Sequence, residues 1–126
     1  MHALIFVYGT LRLSFGGEMA QRLHGGARHV GRAQAKGQLY RIAEYPGFVP
    51  GEGQVTGDLF LLDNPARMLA LLDDYEECAA RFPLPHEYVR QLLTVQAVDG
   101  PVDAWTYIYL RDVEGLPLID SGDFLA

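Results

Sequence analysis

A chain of 126 residues that is 49% apolar and 21% charged can build one hydrophobic core but is too short for two domains. Ten Lys and Arg against sixteen Asp and Glu give a formal charge of −6, which argues against a nucleic-acid or anionic-membrane partner. The longest apolar run, Ala3 to Tyr8, falls far short of the roughly 20 residues that span a bilayer and lacks the flanks of a signal peptide, while a lone Cys78 excludes an internal disulfide; residues 1–126 are therefore expected to form a single cytoplasmic domain.

Leu4 to Tyr8 reads as a strand buried on both faces, because the run is short, continuous and rich in branched and aromatic residues. It breaks at Gly9-Thr10-Leu11. Glu18 to His24 reads as a short helix closed by Gly25-Gly26, and Gln34 to Ile42 as a strand. Tyr45-Pro46-Gly47 and Pro50-Gly51-Glu52-Gly53 read as turns. Gln54 to Leu62 alternates, with Val55, Gly57, Leu59 and Leu61 on one face. The clearest helix starts at Asn64 (N-cap) and Pro65 (first helical position) and ends near Tyr75 or Glu76. Its apolar stripe is expected to be Met68, Leu71, Leu72 and Tyr75. Tyr88 to Val98 reads as a long strand. Asp99-Gly100 signals a hairpin, lengthened slightly by Pro101, and Val102 to Tyr109 returns with Trp105, Tyr107 and Tyr109 on one face. About six strands and two helices point to an α+β fold, a small barrel or curled sheet.

Many standard sites are absent. His2, His24, His29 and His86 have no metal-ligand spacing with each other or with Cys78. The chain has no phosphate-binding loop, dinucleotide fingerprint or nucleophile elbow, and Cys78 without a recognisable His partner reads as a small core residue. Two features remain. Tyr8-Gly9-Thr10-Leu11-Arg12 can leave successive backbone N–H groups pointing outward as an anion nest, or can be an ordinary strand-ending turn. The cluster Asp73-Asp74-Tyr75-Glu76-Glu77 stands at a helix C-terminus, where the dipole and neighbouring carboxylates raise a carboxyl pKa. A carboxyl raised from about 4.3 toward neutrality can both accept and donate a proton; the alternative is a solvated acidic loop, and composition does not choose.

Together the two features resemble a known family. Phe6-Val7-Tyr8-Gly9-Thr10-Leu11-Arg12 is similar to the opening of the gamma-glutamylcyclotransferase-like proteins, which include the plant avirulence-induced-gene proteins. The resemblance continues through Gly37-Gln38-Leu39-Tyr40, Tyr45-Pro46-Gly47, Val55-Thr56-Gly57-Asp58-Leu59-Phe60, Leu72-Asp73-Asp74-Tyr75-Glu76, Tyr88-Val89-Arg90 and Ile119-Asp120-Ser121-Gly122-Asp123-Phe124. It implies a six-stranded β-barrel with flanking short helices. It further implies that Tyr8, Gly9, Thr10 and Leu11 bind the glutamyl end of a small gamma-glutamyl substrate, and that Glu76 is the acid/base of an amide cleavage releasing 5-oxoproline. No metal or organic cofactor is implied, and the chain is expected to be a monomer or homodimer. The sequence departs from the family at Glu77, where a Gly is usual, and at Phe124, where Trp is frequent. Glu77 is expected to reshape the turn or to raise the pKa of Glu76. A distorted turn would favour the rival reading, a barrel of the same fold that binds a small metabolite without turning it over. A carboxylate pair of Glu76 with Asp73 or Glu77 is a third reading. Residues 78–87, with Pro83 and Pro85, read as a lid or a loop. Tyr88, Arg90, Trp105, Tyr107 and Tyr109 read as barrel-interior and sheet-surface packing, the alternative being that some of them line the pocket or contact a substrate carboxylate.

Overall fold

Alternation along the first strand sets the architecture. In β1 (Leu4–Val7), Ile5 and Val7 join one buried cluster while Phe6, with Tyr8 just beyond the strand, joins another. The strand is thus covered on both sides, as its unbroken apolar run predicts. The structure is a computed structural model and describes residues 2–12 and 16–125. After β1 come α1 (Glu18–Gly25), β2 (Ala27–Arg41), β3 (Pro46–Leu62), α2 (Pro65–Tyr75), β4 (Tyr88–Ala97) and β5 (Gly100–Tyr109). The fold is mixed α and β, with five strands and two helices among the described residues.

The strands follow the ring order β1-β3-β2-β4-β5. Two seams of this ring are narrow: β5 returns to β1 in parallel at Ile5↔Trp105, and β2 meets β4 at Gln34↔Gln96. The inner face carries Phe6, Leu39, Phe48, Val55, Leu59 and Ile108. The outer face carries Ile5, Val7, Phe60, Leu62 and Tyr107, covered by Leu23 of α1 and by Leu69 and Leu72 of α2. Each fully buried Phe or Leu side chain contributes about 1.5–3 kcal/mol of transfer free energy, so this two-sided burial is what holds the sheet.

Five strands stand where the family resemblance implies six, and they are the five segments that read as strands; the difference in extent lies in the glycine-rich middle of the chain. The segments 45–47 and 50–53, expected as turns, fall largely within β3: pairing of Pro46, Gly47 and Pro50 with β2 overrides local turn chemistry there, while residues 51–53 stand out of register between Gly37↔Pro50 and Lys36↔Gln54. Irregularities in that register, between His29 and Gly31 and between Lys36 and Gly37, accommodate the glycines as bulges. β2 likewise begins at Ala27 rather than Gln34.

α2 starts as expected: Asn64 Oδ1 accepts from Arg67 N at 3.3 Å, and Pro65 opens the helix. Its buried stripe is rotated, however, to Leu69 and Leu72, leaving Tyr75 46% exposed. The β4–β5 hairpin is tighter than expected: Ala97 pairs with Gly100, so the loop is Val98-Asp99 alone. Among the described residues, no helix is long and apolar enough to cross a membrane.

Candidate active site

The bend after β1 is held from behind by charge. Arg12 N–H donates to the Gly9 carbonyl at 3.1 Å and closes the turn. The Arg12 side chain, 4% exposed, pairs with Asp58 at 3.2 Å and with Asp123, and His29 Nε2 meets the other Asp58 oxygen at 3.2 Å. Gly122, next to Asp123, takes φ +68°, and its carbonyl accepts from Thr56 N at 2.8 Å. A Cβ there would collide with the Gln54 carbonyl, so the closing segment requires glycine. Gly9 is required for a different reason: a Cβ would lie 2.7 Å from Pro46 Cγ. With the bend fixed this way, the N–H groups of Gly9, Thr10 and Leu11 have no hydrogen-bond partner among the described residues, and all three residues border one cavity of about 380 Å³. Tyr8 lines the same cavity; its hydroxyl donates to the Tyr107 carbonyl at 2.7 Å.

The C-terminus of α2 forms the facing wall. Glu77 N donates to the Asp74 carbonyl at 3.1 Å and Cys78 N to the Asp73 carbonyl at 2.9 Å, the paired bonds of a Schellman ending. Glu77 takes φ +56°, the left-handed conformation for which glycine is the usual residue. The expected reshaping of the turn is therefore not found: a non-glycine residue is held in the glycine geometry. Both Glu76 and Glu77 border the cavity.

Asp73, one turn earlier, is fully engaged. It accepts from Arg90 Nε and Nη2 at 2.8 and 3.1 Å and from the Tyr107 hydroxyl at 2.7 Å. The Arg90 guanidinium also lies 4.3 Å from the Trp105 ring centroid. Glu76 forms no ion pair or side-chain hydrogen bond among the described residues; burial, and then the nearby charge of Glu87, push its pKa up to about 7. Glu87, not Glu77, is thus the carboxylate that acts on Glu76. Burial and the charge of Glu76 also push the Tyr8 hydroxyl well above its usual pKa. A carboxyl poised near neutrality, bordering the same cavity as a bend with unpaired amides, can take a proton and return it.

Sequence reasoning missed several lining residues. Glu87 borders the cavity and is held by the Tyr45 hydroxyl, which donates to Oε2 at 2.6 Å. For Tyr88 and Tyr107 packing was the preferred reading over pocket lining, and both readings hold: they border the cavity as well as joining the core. The signal for Glu87 was its place directly before a strand whose first side chain, Tyr88, turns inward. Cys78 packs against the outer cluster, and burial followed by Asp73 and Glu76 pushes its thiol up to about 12, which removes it as a ready thiolate.

Residues 5–126 match the family model described as gamma-glutamyl cyclotransferase, AIG2-like. The chain belongs to this family. Its relatives in the family include the gamma-glutamylcyclotransferase family protein YtfP of Escherichia coli K12, 39% identical over 96% of this chain and 95% of that protein. The solution structure of E. coli YtfP superposes with a TM-score of 0.68 at 40% identity, covering 97% of this chain and 96% of that one. The human gamma-glutamylaminecyclotransferase is 33% identical over 77% of this chain and 64% of its own length. A crystal structure of a mouse AIG2-like protein matches with a TM-score of 0.73 and 30% identity over 94% of this chain and 86% of that chain.

Proposed function

We propose that the protein cleaves a gamma-glutamyl amide by internal attack, releasing 5-oxoproline and a free amine. The alpha-ammonium of the glutamyl group gives up one proton to solvent, and the resulting neutral amine attacks the group's own side-chain carbonyl carbon, forming the ring C–N bond. Glu76 accepts the proton that this nitrogen sheds. Oxyanion character on the attacked carbonyl is stabilised by the N–H groups of Gly9, Thr10 and Leu11. The bond to the departing nitrogen then breaks, and Glu76 returns the proton to it. Nucleophile and electrophile belong to one molecule, so holding the glutamyl chain curled, in contact with Tyr8 and the bend, supplies much of the acceleration.

The observation that carries this reading is the meeting, in one cavity, of an unpaired carboxyl with a pKa near 7 and a bend whose amides lack partners. The rival reading, binding without turnover, drew on a turn distorted by Glu77, and the helix-ending bonds there are intact. The test is incubation with a panel of gamma-glutamyl compounds and assay of 5-oxoproline, for wild type and Glu76→Gln. Wild type is expected to release it, and the variant to be slower by about 10²–10⁴-fold. A wild type that binds such compounds and releases nothing would establish the rival.

A further inference from the structure

The charge lining the cavity is one-sided. Its wall carries four carboxylates, Glu44, Glu76, Glu77 and Glu87, and no Lys, Arg or His. A glutamyl group brings one ammonium and one carboxylate, which cancel. Glu76 is taken up by proton transfer, so Glu44, Glu77 and Glu87 are left facing the rest of the substrate. None of the three forms an ion pair among the described residues. The neighbouring cations are committed or set apart: Arg81 pairs with Asp74 and Arg90 with Asp73, while Arg111 acts on Tyr45 and Tyr109 from outside the lining. Glu87 differs from the other two in being half-buried and fixed by the Tyr45 hydroxyl, so it presents its charge without reorganising.

We infer that the amine half of the substrate carries a positive charge and no carboxylate, and that Glu87, positioned by Tyr45 and supported by Glu44, is the group that selects it. A second carboxylate on the departing half would enter a cavity already rich in like charge, whereas an ammonium would meet a preorganised partner; such differences set specificity. This inference rests on the cyclotransferase reading for the placement of the glutamyl end.

Three compounds with amine halves of similar length test it: the gamma-glutamyl derivatives of putrescine (cationic), butylamine (neutral) and gamma-aminobutyrate (anionic). The kcat/KM for 5-oxoproline release by wild type is expected to fall in that order, with about tenfold between the first and last. Calorimetric binding to Glu76→Gln is expected to give the same order, and high salt to compress it. Glu87→Gln should narrow the spread between the cationic and anionic compounds. Glu44→Gln, which changes charge at the exposed rim without removing any side-chain hydrogen bond among the described residues, should narrow it less. An anionic compound bound and cleaved as well as the cationic one overturns the inference and leaves the cyclotransferase reading standing. Ordered binding with no 5-oxoproline from any compound does the reverse.

Discussion

Asp73 and Glu76 stand one turn apart at the end of α2, and the fold gives them opposite surroundings. Asp73 receives a bidentate guanidinium and a phenol, so its charge is fully answered. Glu76 receives burial and a second carboxylate, and its proton is retained to near neutrality. The first arrangement anchors the helix end to β4 and β5, and the second leaves a group free to exchange protons. Placing the anchored acid beside the reactive one means that the wall does not depend on the charge state of the group it presents.

Several substitutions would break or sharpen that contrast. The largest effect belongs to Glu76→Gln, with 5-oxoproline release reduced by about 10²–10⁴-fold. The same variant separates catalysis from stability. The folded carboxyl is raised from 4.5 to about 7, so its contribution is fully present below about 4.5 and lost as pH rises through 7. Wild type should therefore lose up to about 3 kcal/mol relative to Glu76→Gln between those limits, measured by denaturant unfolding at a series of pH values. Asp73→Asn is expected to act in the opposite sense, costing about 2 kcal/mol at neutral pH by leaving a partly buried Arg90 without its countercharge. Glu77→Gly should raise stability by about 1 kcal/mol, because glycine takes φ +56° without the strain a side chain meets there. In kinetics, the acidic limb of the kcat/KM profile should have its midpoint near 7 in wild type and move to lower pH in Glu87→Gln, which removes a like charge from beside Glu76. A midpoint unmoved by that change would mean that burial alone sets the proton affinity.

What could be read from the sequence was local, and what could not was set by partners distant in the chain. The double-sided burial of β1, the break at Gly9 and the Asn64-Pro65 helix start depend on a few adjacent residues, so they were legible. So was Glu76, through its place in an acidic helix end and its resemblance to a family motif. Glu87 was not, because its influence arises from the fold bringing the end of the 78–87 stretch beside Glu76 at the end of α2, eleven positions earlier. The role of Glu77 was misjudged for a related reason: the Schellman bonds of α2 hold the backbone left-handed whichever residue occupies the position. The stretch 46–50 carries real turn residues, yet an adjacent long strand supplies pairing that no local rule anticipates, and only 51–53 escape it. Tyr75 follows the helical period but stays half exposed at the edge of the cavity rather than in the core, since the sheet selects the neighbouring stripe through Leu69 and Leu72.

The contact between Arg12 and Asp123 joins positions 111 apart. Through it, the residues near the C-terminal end act as a strut for the loop that follows the first strand, and Gly122 ties that strut to β3 at Thr56. Slackness introduced at Asp123 would therefore loosen the bend and, in the proposed reaction, weaken the hold of the Gly9, Thr10 and Leu11 amides on the developing oxyanion, far along the chain from where the change was made.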